Sequence, residues 1–241
     1  MALNVAPHSQ QACDTCPIRP HAVCAGSPPD QLVVLEGLKF RRSFTAGQVV
    51  VWAGEEMDFV ASVVSGVAEL GRELEDGRRQ MVGLLLTGDF LGRPGRAIAP
   101  YTVVAATDMT LCCFRRAQFE QLLTKMPALA NRLLEMTLDE LDVARDWMLL
   151  LGRKSARERI ASLLVLLARR ESAMIGQTPT DRIAIELPMT REAIADHLGL
   201  TLETVSRQLA ALKADKVIVL DGKRRVTVPS FAALVAESAA A

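Results

Sequence analysis

Residues 190–213 read TREAIADHLGLTLETVSRQLAALK, and the fold is decided in this stretch. Thr190 is placed to cap a first helix with its hydroxyl. Ile194 and Leu198, four apart, face inward, and Ala195 is small enough to let a second helix approach closely. Gly199 falls at the turn, where a left-handed conformation is easy for glycine. Thr201 caps the second helix, and Val205 and Leu209, again four apart, pin that helix to a core. Glu203, Thr204, Ser206, Arg207 and Gln208 are left toward its exposed N-terminal half. Two short helices with this polar set make a helix-turn-helix whose second helix suits the major groove of DNA. A carboxylate can accept from cytosine N4, a guanidinium can clamp guanine O6 and N7, and a hydroxyl can meet base or phosphate. Arg191, Lys213, Lys223, Arg224 and Arg225 are the nearby cations for phosphates, which fix register without reading sequence.

The flanks support this. A strand at Arg182–Leu187 precedes the motif. A hairpin follows it (Val217–Leu220, Asp221-Gly222, Arg225–Val228), so residues 152–241 are expected to form a winged helix-turn-helix domain. Within it, a helix spans Ala156–Arg170, a polar loop spans Ser172–Thr180, and Phe231–Ala239 form a terminal helix of limited importance. Upstream, Leu129, Leu133, Met136, Leu138, Leu141, Met148 and Leu151 recur at helical spacing behind Pro127, a residue suited to a helix start. The expectation is one helix over 127–151. About 25 residues span roughly 37 Å, more than a small sandwich can cover, so the apolar stripe is read as a homodimer contact through Leu133, Leu141 and Met148.

Residues 30–126 alternate short apolar runs with turn signals. Strands are expected at Gln48–Trp52, Asp58–Val64, Ala68–Leu74, Arg79–Leu85, Val103–Ala106 and Thr110–Phe114, with Asp76-Gly77 as a hairpin turn. The class is α+β: an N-terminal antiparallel β-roll, a long dimerisation helix and a C-terminal winged helix-turn-helix. Residues 1–29 form an irregular arm, interrupted by Pro7, Pro17, Pro20, Pro28 and Pro29.

Of the 241 residues half are hydrophobic, and the formal net charge is zero. Its distribution is uneven. From Gly152 onward Lys and Arg number 14 against 10 Asp and Glu; residues 1–151 carry 14 against 18. A basic C-terminal part on an acidic N-terminal part points to a polyanion at the former only. The longest apolar runs fall far short of the roughly 20 residues of a membrane span, and Met1–Gln11 lack the apolar core of a secretory signal. The expected location is the cytoplasm, where structural disulfides are rare.

That leaves five cysteines to explain. Cys13 and Cys16 are two residues apart, Cys24 follows after seven more, and Cys112 and Cys113 end a predicted strand. Four thiolates can bind Zn²⁺ in a closed tetrahedral site or hold a [4Fe–4S] cluster. Thiolate softness permits both, and unligated thiols are the third reading. The three-plus-one split, with Pro17 directly after Cys16, leans toward a cluster. His8 and His21 flank the arm and could replace a thiolate in a zinc or heme site. His197, on the first helix of the DNA motif, reads as a surface or phosphate-side residue.

The order of roll, long helix and winged helix resembles the Crp/Fnr superfamily of transcription regulators, and the run Glu203-Thr204-Val205-Ser206-Arg207 resembles the recognition signature of its Fnr branch. The resemblance spans Cys13 to the wing. It implies base reading by Glu203, Ser206 and Arg207, with Thr204, Thr201 and Arg191 alongside, on a TTGAT-type half-site in an inverted repeat of double-stranded DNA. It also implies a [4Fe–4S] cluster that oxygen degrades, on Cys13, Cys16, Cys24 and a distant cysteine. The segment KMPAL (residues 125–129) aligns Cys112 to that fourth position and makes Cys113 a buried neighbour, since adjacent strand residues face opposite sides. Where family members often carry a charge on the dimer helix, this chain has Ala144, which implies a dimer less easily parted. RNA polymerase is the implied partner, with the hairpin Asp76–Val82 as a contact surface. The roll resembles a cyclic-nucleotide-binding domain. However, the stretch after Gly88-Asp89 offers Arg93 and Arg96 with no Arg-Ser pair, so nucleotide control is not expected and these arginines read as solvated. There is no nucleophile elbow, Walker loop or HExxH, so an enzyme is not expected. The rivals are a cluster-free or zinc-containing relative answering another signal, and a small-molecule-binding protein whose winged helix serves protein contact.

Overall fold

The computed structural model describes residues 12–73, 79–222 and 224–238. His8, the Asp76-Gly77 turn and Lys223 lie outside them. The chain forms two compact units, residues 1–71 with 84–139 and residues 72–83 with 140–241.

The first unit is built on a β-roll. One antiparallel sheet has the order β1-β8-β3-β6, from β1 (Phe40–Phe44), β3 (Phe59–Ser65), β6 (Phe90–Leu91) and β8 (Met109–Arg115). The other has the order β2-β7-β4-β5, from β2 (Val49–Val51), β4 (Ala68–Glu73), β5 (Arg79–Leu85) and β7 (Thr102–Ala105). Strands β1 and β6 were not expected from the sequence: both are short, and β1 carries two arginines that break the apolar pattern.

The period of two decides which residues meet. Phe59, Ala61 and Val63 of β3 and Met109, Leu111 and Cys113 of β8 point into the core of the roll with Val51, Leu91, Val103 and Ala105. Val60 and Phe114, on the opposite face, enter a second core with Val23, Leu32, Leu35, Phe119, Leu122, Met126 and Leu129. This sheet is therefore covered on both sides. The outer cover consists of the arm, α1 (Pro29–Leu38), α2 (Arg116–Lys125) and the start of α3 (Pro127–Arg153).

Helices α1 and α2 correct the expectation of strands alone across residues 30–126. Helix α1 has apolar residues on most of its surface, so periodicity does not mark it, and it forms because Leu32 and Leu35 have a sheet face to bury against. In α2, Phe119 is fully buried between Phe90 and Phe114, with ring centroids 5.5 and 5.6 Å away. Helix α3 runs two residues beyond its expected end.

In the second unit, α4 (Ala156–Met174) opens with a capping box: Ser155 accepts from the Glu158 N–H, and the Glu158 carboxylate accepts from the Ser155 N–H. Strand β9 (Ile183–Glu186) pairs with β11 (Arg225–Val228), which pairs with β10 (Val219–Asp221), all antiparallel. Helices α5 (Arg191–Leu198) and α6 (Leu202–Ala214) lie between β9 and β10. The terminal helix α7 (Phe231–Ser238) is more important than expected. Leu234 is fully buried, Glu237 makes two hydrogen bonds with Arg157 at 2.6 and 2.9 Å, and the Ser238 carbonyl accepts from Lys154 Nζ at 2.7 Å. Arg157 also reaches Asp215 at 2.7 Å, so one guanidinium joins α4, α7 and the end of α6.

Candidate nucleic-acid interface and cysteine cavity

Helix α5 is capped by Thr190, which accepts from the Ala193 N–H, and it ends at Gly199 in the left-handed conformation (φ 61°, ψ 42°). Helix α6 starts on Thr201, whose hydroxyl accepts from the Thr204 N–H at 3.2 Å. Val205, Leu209 and Leu212 are buried, which turns the opposite face of α6 outward. Thr201, Glu203 and Arg207 are exposed there, and Arg191, Thr204, Ser206 and Gln208 are half-exposed. Arg224 and Arg225 on the wing are exposed as well. Polar groups of both hydrogen-bonding senses thus face outward at the N-terminal half of a helix, as groove reading requires.

A residue without a sequence signal holds this motif in place. Arg159 on α4 donates to the carbonyls of Leu151 (2.8 Å) and Lys154 (2.9 Å) at the end of α3, and to the carbonyl of Leu198 (2.9 Å) at the end of α5. It satisfies orphan carbonyls of two helices at once. His197 is the main correction. It is not a surface residue: it is 3% exposed and its ring stacks on Trp147 at 4.3 Å. Burial lowers its pKa to about 4, against a hydrogen bond to the Met81 backbone, and Nδ1 has no partner. Gln80 donates to the Asp196 carbonyl at 2.8 Å and Met81 is buried. Within the hairpin expected to face RNA polymerase, these two residues are therefore engaged internally, and Val82 is exposed.

In the first unit, Cys13, Cys16, Cys24 and Cys112 line one small cavity with Ile18, Ala22, Val23, Leu35, Lys39, Arg41 and Phe114. Cys113 points the other way into the roll core and is fully buried. The arm reaches this place by specific ties. The Cys13 N–H donates to Glu36 at 3.3 Å, Lys39 Nζ donates to Cys13 Sγ at 3.2 Å, and Arg132 on α3 donates to the His21 carbonyl at 3.2 Å. A Cβ at Gly88 would stand 3.1 Å from His21 Cβ, so glycine there lets the arm lie against the roll.

The donor chemistry of the cavity fits an iron–sulfur cluster. Burial, then repulsion from Cys16 and Cys13, pushes the Cys24 thiol up to about 11. Burial, then repulsion from Cys24 and Cys13, pushes Cys112 up to about 12. A polycationic core would relieve both effects and hold the sulfurs as thiolates. Among the described residues no three His, Cys, Asp or Glu side chains converge closely enough to hold one metal ion.

On α3, Leu133 is half-buried against its own core beside Met136, so its face is turned inward. Leu134, Leu138, Leu141 and Met148 are exposed by 57, 52, 45 and 74%, and Ala144 is exposed among them. Leu138 belongs to the apolar stripe read from the sequence, and Leu134 was not in it. Spacings of four, three and seven along these residues give the alternation of a two-helix seam.

Residues 158–237 match the family described as Crp-like helix-turn-helix domain, and residues 41–126 match the cyclic nucleotide-binding domain. The transcriptional activator protein FnrL of Cereibacter sphaeroides is 57% identical over 238 residues, covering 99% of this chain and 96% of that protein. The chain belongs to the Crp/Fnr family of transcription regulators. The fumarate and nitrate reduction regulatory protein of Salmonella typhi is another Crp/Fnr relative, 30% identical over 81% of this chain and 77% of its own length. The solved structure of FixK2 from Bradyrhizobium japonicum superposes with a TM-score of 0.75 at 32% identity, over 85% of this chain and 99% of that one. Crp/Fnr regulators bind DNA and act as dimers, and these relatives are regulators, not enzymes. No described helix is long and apolar enough to cross a membrane.

Proposed function

We propose that this Crp/Fnr regulator is an oxygen- and redox-responsive member of the Fnr type, acting in the cytoplasm as a homodimer on a TTGAT-type inverted repeat. The observation that carries this is the cavity: three cysteines of the arm and one of strand β8, nearly ninety residues apart in sequence, line the same space. Cys13, Cys16, Cys24 and Cys112 would hold a [4Fe–4S] cluster. When bound, such a group supplies an oxidisable centre whose loss frees the arm.

The chain's own residues transmit the rest. Val23 and Cys24 of the arm pack in the same core as Leu129, Leu133 and Met136 of α3, and Arg132 ties α3 to the His21 carbonyl. A held arm therefore buttresses the start of α3, whose exposed stripe through Leu134, Leu138, Leu141, Ala144 and Met148 pairs with a second copy. Pairing presents two α6 helices to successive major grooves. Glu203, Ser206 and Arg207 read bases, while Thr201, Thr204 and Arg191 contact phosphates. Because Ala144 places no charge in the seam, cluster-free protein is expected to keep more dimer than a chain with a carboxylate there. Contact with RNA polymerase would use the exposed Val82.

Anaerobic purification tests the cofactor. The expected result is brown protein with about four iron atoms per chain that bleaches in air. Colourless protein holding zinc overturns the iron–sulfur reading and favours a zinc-containing relative.

A further inference from the structure

A buried lysine stands in the cysteine cavity, and its position is unusual for that residue. Lys39 follows the last turn of α1, where its N–H donates to the Leu35 carbonyl, and its side chain lines the cavity. The side chain is only 8% exposed, and the ammonium lies 3.2 Å from Cys13 Sγ. Glu36, 3.8 Å away, is 37% exposed and also accepts from the Cys13 N–H. On the opposite wall, Arg41 lies directly across the β1–β8 ladder from Cys112 and lines the same cavity. Lys39 therefore stands at Cys13 and also acts on Cys112, Arg19 acts on Cys24, and Arg41 lines the cavity in register with Cys112. The remaining wall, from Ile18, Ala22, Val23, Leu35, Val64 and Phe114, is apolar apart from the Ser62 hydroxyl.

This arrangement answers a charge problem. Four thiolates around a [4Fe–4S]²⁺ core leave a net charge of about −2, and a wall that is apolar but for the Ser62 hydroxyl carries no charge to offset it. We propose that Lys39, seconded by Arg41, is the positioning residue that compensates this charge and sets how readily the bound cluster gives up or accepts an electron. The proposal deepens the iron–sulfur reading of the cavity and rests on it. A fixed positive charge beside Cys13 favours the more reduced, more negative state. Its removal lowers the reduction potential and makes transfer of one electron from the cluster to dioxygen, giving superoxide, easier.

The test compares anaerobically purified full-length wild type, Lys39→Met and Lys39→Arg by iron content, by potentiometric titration and by the rate of visible bleaching on mixing with air-saturated buffer. Iron in the wild type decides the underlying reading by itself: absence of iron overturns that reading and this proposal together. With iron present, Lys39→Met is expected to hold wild-type iron but to show a lower midpoint potential and severalfold faster bleaching, and Lys39→Arg to restore both. An unchanged potential and bleaching rate in Lys39→Met, or a Lys39→Arg protein that behaves like Lys39→Met, overturns the role of charge while leaving the cluster reading intact. Should Lys39→Met take up less iron, Lys39→Gln is measured in its place. A lowered potential with faster bleaching then supports the role of charge, and wild-type values overturn it.

Discussion

Cys112 and Cys113 are adjacent, yet the pleat sends one to the arm and the other to the roll core. Cys112→Ser is therefore expected to abolish the visible absorption of anaerobic protein. Cys113→Ala should keep its iron and lose only about 1–2 kcal/mol of stability from a small cavity in the core. Equal iron loss in both proteins, measured by metal analysis, would refute the assignment. His197 supplies a pH dependence. Its folded pKa of about 4 lies below the roughly 6.5 of an exposed imidazole, so the unfolded chain binds the proton first. Stability from this group is complete above pH ~6.5 and is lost as pH falls toward ~4, by up to about 3 kcal/mol. His197→Phe keeps a ring against Trp147 and removes the titration. Its melting temperature should fall less steeply than that of wild type between those limits, as followed by circular dichroism.

At the scale of elements, α3 faces two ways. Leu133 belongs to the core under the arm, while Leu138 and Leu141 face outward. Leu138→Glu with Leu141→Glu is expected to yield folded monomer by light scattering, because like charges would meet across the seam while neither core is touched. Leu133→Ala should instead cost about 2–4 kcal/mol of stability without that clean switch. Arg132→Ala removes the tie between α3 and the His21 carbonyl. The expected outcome is wild-type iron content with weakened dimerisation; full dimerisation at wild-type strength would show that the arm acts on α3 through apolar packing alone.

For the whole molecule, the uneven charge predicts how DNA affinity responds to salt. Binding to an inverted repeat should weaken linearly on logarithmic axes as salt rises, because phosphate contacts release counterions. Arg207→Ala is expected to cost about 1–3 kcal/mol per half-site on the specific sequence and to relax base preference. Arg191→Ala should weaken all sequences alike and flatten the salt slope, which fluorescence anisotropy at several salt concentrations separates.

Much of this was legible from residue types alone. Local spacing determines α5, α6 and the turn at Gly199, since caps, four-residue repeats and a left-handed glycine act within one or two turns of chain. Period-two runs likewise mark the larger strands, and Cys13, Cys16 and Cys24 mark the arm. What local spacing does not carry is the far side of each contact. Helix α1 exists because a second face of the β1-β8-β3-β6 sheet needs covering, and α2 because Phe119 fits between Phe90 and Phe114. Burial of His197 depends on Trp147, fifty residues earlier, and the bridging role of Arg159 depends on carbonyls of two other helices. The division of α3 between a buried face and an exposed apolar face, and the placing of Lys39 beside Cys13, follow from packing between segments distant in sequence. Period and capping are properties of a short stretch of chain and can be read there; burial is a property of what a stretch packs against, and only the tertiary structure decides it.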